Sequence, residues 1–123
     1  MCIRDRYIFV HVDGTLRGVL PLMEETDVDC AQSMTPAPVG DVPVEKLREL
    51  AGPNIILWGG LPGVYFSHLY PKKTLREMAL KVIQHHLEGH KFILGVADQV
   101  PPDGDISRVK TVTGLVEKYA KYV

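Results

Sequence analysis

The chain has 123 residues, a formal net charge of −1 and 46% hydrophobic residues, which suits one globular domain with a modest core. The balanced charge argues against a broad nucleic-acid surface, which needs clustered excess Lys and Arg, and no apolar run approaches the ~20 residues of a membrane helix. Because the chain has only two cysteines and no signal-peptide pattern, a reducing cytoplasm is the expected compartment.

The first six residues, MCIRDR, show no hydrophobic periodicity and join abruptly to a strand-like segment. They resemble translated sequencing-adapter sequence. We therefore interpret residues 1–6 as a non-native leader and residues 7–123 as the domain, and we expect the natural N-terminus to be missing.

Strand-like and helix-like segments alternate four times along residues 7–123. Strands are predicted at 7–14, 28–34, 54–60 and 91–98, and helices at 18–25, 42–50, 72–89 and from residue 105 onward. Asp41 and Asp105 are candidate N-caps, and Gly52 and Gly89 stand where helices commonly end. Two helices carry one apolar face each, formed by Leu75, Met78, Ala79, Val82 and Ile83 in the third and by Val109, Val112, Val116 and Tyr119 in the fourth.

This alternation predicts an α/β fold whose parallel strands are joined by right-handed crossovers. Four units could close as a small three-layer sandwich, or they could be half of a (β/α)8 TIM barrel, which typically takes ~250 residues. The abrupt start at residue 7 favours the half barrel. In either arrangement, the functional edge is the one at the carboxyl ends of the strands.

Two ionisable residues lie at the end of the first predicted strand, in FVHVDGTLRG. His11 and Asp13 are two positions apart and point the same way, while Val10 and Val12 point the other way. Asp98 ends the fourth strand in an equivalent place. One imidazole and two carboxylates could hold a divalent metal such as zinc, although local hydrogen bonds and a turn would explain the same residues. His11, Asp13 and Asp98 are therefore the candidate catalytic and metal-binding residues.

Three further residues are candidates for substrate binding. WGGLPG, residues 58–63, is a glycine-rich turn after a strand, and such turns let backbone N–H groups approach a ligand or merely redirect the chain. Arg17 could clamp a carboxylate through two hydrogen bonds, or it could be solvated. We therefore consider Arg17, Trp58 and Gly60 as substrate-binding residues.

The other histidines are weaker candidates for a site. His85, His86 and His90 surround the end of the third helix, where cationic side chains suit the helix dipole, so we expect them to be surface caps. The spacing of His86 and His90 is compatible with metal binding, but Gly89 ends the helix between them. His68 falls in a loop and is expected to be solvated.

HVDGTL, at the end of the first strand, resembles the D-x-D-G-T motif of haloacid-dehalogenase-like phosphatases. In that motif the first aspartate is the nucleophile, and His11 occupies its position here. A neutral imidazole cannot form the same acyl-phosphate. We therefore interpret this similarity as accidental.

A second resemblance covers the whole of residues 7–123. HVDG, ILWGGLPG and FILGVADQVPPDGD, followed by a helix, resemble in that order the C-terminal half of the uroporphyrinogen decarboxylase superfamily. The resemblance implies a (β/α)8 barrel in which this segment supplies strands five to eight. It also implies an enzyme with a small-molecule substrate.

The methyltransferase branch of that superfamily holds zinc through a histidine, a cysteine in an H-x-C motif and a second cysteine after the last strand. Its members pass methyl groups to or from a corrinoid. By resemblance, His11 matches the zinc-binding histidine, whereas Asp13 and Asp98 replace the two cysteines. Carboxylates are harder ligands than thiolates and accept other metals. The resemblance therefore implies a zinc-like divalent metal and a corrinoid, carried in some cases by a partner protein.

The decarboxylase branch removes the acetate arms of uroporphyrinogen without a metal. It usually has a small hydroxyl residue in place of His11 and a histidine in place of Asp98, and its G-N-x-D-P turn appears here as GGLPG. The sequence therefore departs from both branches, and His11 favours the methyltransferases. If the chain is a decarboxylase, Arg17 is expected to pair with an acid arm of the porphyrinogen.

The leading hypothesis is thus part of an enzyme that performs metal-assisted methyl transfer involving a corrinoid. The alternatives are a uroporphyrinogen decarboxylase acting in tetrapyrrole biosynthesis, and a non-catalytic or inactive fragment. The first and fourth strands of a half barrel have unpaired edges, and the interior face around Phe9 is uncovered. We therefore expect the isolated chain to be inactive and to aggregate or dimerise edge to edge.

Overall fold

The computed structural model describes residues 6–86, 88–89 and 91–120, which form four strands and four helices. The strands are β1 (Phe9–His11), β2 (Cys30–Met34), β3 (Ile56–Pro62) and β4 (Phe92–Ala97). The helices are α1 (Leu20–Met23), α2 (Val44–Ala51), α3 (Lys72–His86) and α4 (Ile106–Tyr119), and a 3₁₀ turn (Gly63–Phe66) follows β3. All eight predicted elements are present, although β1 and α1 are shorter than predicted.

The four strands form one parallel sheet in the order β1-β2-β3-β4. Because spatial order equals chain order, every right-handed crossover steps in the same direction and places its helix on the same face of the sheet. A doubly wound three-layer sandwich requires a reversal of strand order, and the described strands contain none. The chain is therefore an α/β protein whose four-stranded parallel sheet is compatible with half of a barrel.

The helix-facing side of the sheet forms the core. Val10, Ala31, Leu57 and Phe92 are partners in register across the four strands, and all four belong to or pack against one apolar cluster. Fully burying a side chain such as that of Leu57 contributes about 1.5–3 kcal/mol. The apolar stripe predicted for α3 is confirmed, since its five residues are buried: Leu75, Met78, Ala79, Val82 and Ile83.

The two predicted N-caps have different outcomes. Asp105 precedes α4 and its side chain accepts a hydrogen bond from the Ser107 N–H at 2.8 Å, which confirms the cap. Asp41 does not cap α2, because Pro43 precedes that helix. Its carboxylate instead accepts from the backbone amides of Leu16 and Arg17, at 2.8 and 3.1 Å. These amides, the Leu16 amide foremost, hold the pKa of Asp41 below its ordinary value.

Hydrogen bonds from Arg48 link the segments at the amino-terminal edge of the sheet. The Arg48 guanidinium donates to the carbonyl oxygens of Gly52, Ile55 and Lys91, at 3.0, 2.7 and 2.8 Å. Gly52 ends α2 with a φ of 78°, in the conformation that favours glycine. The end of α2 and the residues that lead into β3 and β4 are therefore joined through a single side chain.

The predicted surface position of His86 is wrong. Its side chain is buried, its ring stacks on Phe92 with centroids 4.3 Å apart, and Nε2 lies 3.1 Å from the carbonyl oxygen of Val44. The last turn of α3 packs on the sheet and against the start of α2, so this histidine faces the core, whereas His85 is exposed. Burial lowers the pKa of His86, and the hydrogen bond with Val44 opposes that shift. His90 lies outside the described residues.

We expect the free energy of unfolding to decrease as the pH falls below the ordinary histidine pKa of 6.5. In that range the unfolded chain takes up a proton at His86 while the folded chain does not, which favours unfolding. Denaturant titrations at pH 7.5 and 5.5 measure the difference. His86→Gln should reduce the pH dependence, because glutamine can still donate to the Val44 carbonyl but does not titrate.

His85→Gln is the matched control, since it removes a neighbouring exposed histidine from the same helix. It should change the pH dependence far less than His86→Gln does, because the charge of His85 lowers the pKa of His86 much less than burial does. Equal behaviour of the two variants would contradict a role for burial of His86.

Candidate functional site

The carboxyl-terminal edge of the sheet brings His11 and Asp98 together. β1 and β4 are the two outer strands, which would lie about 14 Å apart in a flat sheet. The Nε2 atom of His11 nevertheless lies 3.6 Å from the Oδ1 atom of Asp98. Side chains from opposite edges can meet in this way only if the sheet curls toward its helix-free face. We call the His11–Asp98 contact the mouth pair.

The concave face of the sheet carries the side chains beneath the mouth pair. His11, Gln32, Trp58 and Ile93 are partners in register across the four strands. The rings of Phe9 and Trp58 are tilted against each other with centroids 6.3 Å apart. Phe9 is 63% exposed, in agreement with its predicted position on an uncovered interior face. The mouth pair therefore lies above a partly exposed apolar surface formed by Phe9 and Trp58, which we call the aromatic floor.

Gln32 sets the orientation of the His11 ring. The His11 Nδ1 atom lies 2.5 Å from the side-chain oxygen of Gln32, and since an amide oxygen can only accept, Nδ1 carries the proton. This arrangement turns Nε2 toward Asp98. The two side chains of the mouth pair are 47% and 55% exposed, and a surface contact of this kind contributes little to stability. The pair is thus accessible to a ligand and is not part of the core.

The mouth pair has the spacing of two ligands of one metal ion. Bonds of about 2.1 Å at near-tetrahedral angles place ligand atoms roughly 3.4 Å apart. A second hydrogen bond from the ligating ring, such as the one to Gln32, is also usual for metal-binding histidines.

Asp13, the third predicted ligand, does not join them. It is exposed, and its Oδ1 accepts from the Gly14 N–H at 2.9 Å. Among the residues that the structure describes, no group of three or more His, Cys, Asp or Glu side chains could hold a metal ion. Of the three predicted ligands, the structure therefore brings only His11 and Asp98 together.

The turn predicted for WGGLPG is wrong, because residues 58–62 continue β3 and pair with β4. Within that strand, Trp58 and Gly60 lie on opposite sides of the sheet. A Cβ atom at Gly95 would stand 2.9 Å from the indole Nε1 of Trp58, so the indole lies directly over that glycine on the concave face. A Cβ atom at Gly60, whose φ is +92°, would instead meet Val82 and Phe92 in the helix-facing core. Of these two predicted substrate-binding residues, only Trp58 presents its side chain to the aromatic floor.

Arg17 lies in the loop between β1 and α1, at the same edge as the mouth pair. Its side chain is exposed, and Nη2 donates to the backbone oxygen of Asp41 at 2.9 Å. A guanidinium has five N–H donors in a fixed fork, so one such bond leaves capacity for an anion. Both predicted roles, a carboxylate clamp and a solvated side chain, therefore stay open.

A second polar cluster at this edge joins two loops. The Ser67 hydroxyl donates to Asp103 at 2.5 Å, and the Asp105 amide donates to the Phe66 carbonyl oxygen at 2.8 Å. The exposed His68 lies 3.7 Å from the same Asp103 carboxylate. A nucleophilic serine would need the imidazole, and not the carboxylate, as its hydrogen-bond partner. The cluster therefore fastens the loops that follow β3 and β4 and is not a catalytic triad.

Sequence reasoning missed Gln32 and the Ser67–Asp103 bond. Gln32 could have been found, since it is a large polar residue of the predicted strand CAQSM at the place where β2 would lie beside His11. The loop contact joins residues 36 positions apart in irregular segments, for which periodicity gives no signal.

No protein-family model matches the chain, and no curated protein is significantly similar to it. In the part of the chain that the structure describes, no helix is long and apolar enough to cross a membrane.

The aromatic floor can be tested through the fluorescence of Trp58, the single tryptophan of the chain. We expect Gly95→Ala to shift or quench its emission, because the added methyl group would collide with the indole. Gly18→Ala is the control, since a Cβ atom there meets nothing within 4 Å. If both variants emit like the unaltered protein, the indole does not rest on Gly95.

Proposed function

We propose that this chain is part of an enzyme of the uroporphyrinogen decarboxylase superfamily and supplies strands five to eight of its (β/α)8 barrel. The parallel strand order without reversal and the curl of the sheet support that assignment. The proposed reaction is metal-assisted methyl transfer involving a corrinoid, in the cytoplasm. The observation that carries the proposal is the mouth pair, 3.6 Å wide and formed by opposite edges of the sheet.

Each residue at the mouth has a distinct task in this proposal. His11 presents Nε2 to the ligand, and Gln32 fixes the ring by accepting a hydrogen bond from Nδ1–H. Asp98 supplies a carboxylate oxygen from the opposite edge. Trp58 and Phe9 form the apolar surface on which an uncharged part of the substrate rests. Arg17 is positioned at the rim to receive an anionic group of the substrate.

A divalent cation is the cofactor to which this donor set is suited. When bound, such an ion polarises a substrate or lowers the pKa of a bound nucleophile. His11 and Asp98 would hold it, and Asp13 remains the predicted third ligand, since its exposed carboxylate would have to exchange its hydrogen bond from the Gly14 amide for the metal. Two carboxylates and one imidazole form a harder donor set than the zinc-thiolate sites of the methyltransferases, so the site would accept metals other than zinc.

A second candidate is metal-free decarboxylation of a porphyrinogen acetate arm. It is favoured by the position of Asp13, because an imidazole and a carboxylate without a third ligand form a proton-transfer pair. In that case His11 would donate a proton to the substrate and Asp98 would stabilise the imidazolium. Arg17 would pair with the acid arm.

Titration of the protein with Zn²⁺, followed by calorimetry, distinguishes these candidates. We expect stoichiometric binding that is lost in His11→Ala and Asp98→Ala and strongly weakened in Asp13→Ala. Gln32→Ala should weaken it by roughly 10–100-fold, as is usual when the hydrogen-bond partner of a metal ligand is removed.

His68→Ala and Glu77→Gln are matched controls, because they remove an exposed histidine and an exposed carboxylate elsewhere, and they should bind like the parent. Binding that is absent, or equal in all variants, would refute the metal site. Consumption of uroporphyrinogen by the metal-free full-length protein that contains this chain would then support decarboxylation, and a protein with neither property would support a non-catalytic fragment.

A further inference from the structure

The sequence contains two Asp-Gly dipeptides, Asp13–Gly14 and Asp103–Gly104. In such a dipeptide the backbone nitrogen of the glycine can attack the side-chain carboxyl carbon of the aspartate. Glycine favours this attack because it has no Cβ atom to hinder the approach and because it adopts backbone conformations that other residues avoid. Since the two dipeptides have the same local chemistry, a difference in their reactivity must come from the fold.

The first dipeptide has the freedom to react. Asp13 and Gly14 are both exposed in the segment between β1 and α1. The Gly14 N–H donates to Oδ1 of Asp13 at 2.9 Å, so the attacking nitrogen already contacts the carboxyl group that it would attack. Gly14 has a φ of +86°, and a Cβ atom there would meet nothing within 4 Å. Asp13–Gly14 therefore combines proximity of the reacting groups with open space around them.

The second dipeptide is held in an arrangement that opposes the reaction. The Asp103 carboxylate accepts from the Ser67 hydroxyl at 2.5 Å, and the Gly104 amide donates to the carbonyl oxygen of Pro101 at 2.8 Å. Gly104 is half-buried and forms an antiparallel bridge with Ser67. Attack of the Gly104 nitrogen on the Asp103 carboxyl group therefore requires both hydrogen bonds to break.

We propose that Asp13 is a site of spontaneous covalent modification, at which attack by the Gly14 nitrogen converts the aspartate into isoaspartate. The fold restricts this reaction to Asp13 and protects Asp103. The inference goes beyond the proposed function and does not depend on it, because the reaction needs neither a metal nor a substrate.

The modification proceeds through a cyclic succinimide and consumes no reagent other than water. A bond forms between the Gly14 nitrogen and Cγ of Asp13, and one carboxyl oxygen leaves as water. That water carries away the amide hydrogen and a second proton, which comes from the carboxyl group or the solvent. Water then adds to one of the two ring carbonyl carbons, and the bond from that carbon to the Gly14 nitrogen breaks.

The carbon that water attacks determines the product. Opening of the ring at Cγ restores aspartate. Opening at the main-chain carbonyl carbon leaves isoaspartate, in which the chain runs through Cβ and Cγ and the free carboxylate is attached to Cα. The product has the mass of the original chain, but it has one more main-chain atom between β1 and α1. The carboxylate of Asp13 is thereby displaced relative to the mouth pair.

Peptide mapping of the aged protein tests the proposal. The folded 123-residue chain is stored at a fixed neutral pH, and circular dichroism before and after storage verifies the fold. Trypsin cuts after Lys and Arg and releases the two dipeptides in separate peptides, 7–17 and 92–108. An isoaspartyl peptide keeps its mass but elutes separately in chromatography, and electron-transfer fragmentation locates the altered residue.

We expect the isoaspartate fraction at Asp13 to exceed that at Asp103 by at least roughly tenfold, because misplacing reacting groups by about 1 Å can slow an intramolecular reaction ~100-fold. The same chain stored in guanidinium chloride is the first control. Unfolding frees both dipeptides, so the two fractions should become similar.

Two glycine variants test the attacking atom. Gly14→Ala places a methyl group beside the attacking nitrogen and should reduce the isoaspartate at Asp13 to near the amount at Asp103. Gly18→Ala is the matched control, since its methyl group also meets nothing within 4 Å and lies in the same exposed segment. It should leave the isoaspartate at Asp13 unchanged.

Three results would overturn the proposal. The first is folded protein without isoaspartate in peptide 7–17. The second is an equal or larger isoaspartate fraction in peptide 92–108, which would show that the fold does not protect Asp103. The third is equal isoaspartate in Gly14→Ala and Gly18→Ala, which would show that attack does not depend on the unhindered Gly14 nitrogen.

Discussion

Side-chain alternation along parallel strands in register links the two faces of this sheet. Val10 and Val12 face the helices, so His11 between them must face the other way. A shift of β1 by one residue would expose both valines and bury the imidazole. The apolar contacts that stabilise the fold thereby also hold His11 on the concave face, where Gln32 orients its ring.

The contact between His11 and Asp98 also requires the sheet to curve, and an irregularity in β2 accompanies this curvature. The pairing of β2 with β3 shifts register between Gln32 and Met34, and the intervening Ser33 has a φ of 77°. A bulge of this kind bends a strand and increases its twist. Gly59 permits the irregularity, because a Cβ atom there would lie 2.6 Å from the backbone nitrogen of Met34. The reach of His11 toward Asp98 thus depends partly on a glycine in the middle of the sheet.

Periodic features of this protein could be predicted from its sequence, whereas features of pairing between distant segments could not. The apolar stripe of α3 and the Asp105 cap follow from local rules and are present. Asp41 looked like a cap by the same rules, but two amides of a loop 25 residues earlier compete for its carboxylate.

His86 resembled a surface residue because its burial depends on how α3 meets β4 and α2. Asp13 and His11 were correctly assigned to one edge, yet the Gly14 amide holds the Asp13 carboxylate locally.

Arg48 stabilises one end of the sheet, and the mouth pair lies at the other end. Its three hydrogen bonds to carbonyl oxygens lie at the amino-terminal side of the sheet, opposite the mouth pair. A guanidinium keeps its charge throughout the ordinary pH range, so this anchor does not respond to conditions that titrate histidine or aspartate. Loops at the mouth could therefore be lengthened, exchanged or redesigned while the lower end of the sheet stays in register, which makes the fold a suitable scaffold for grafting new binding loops.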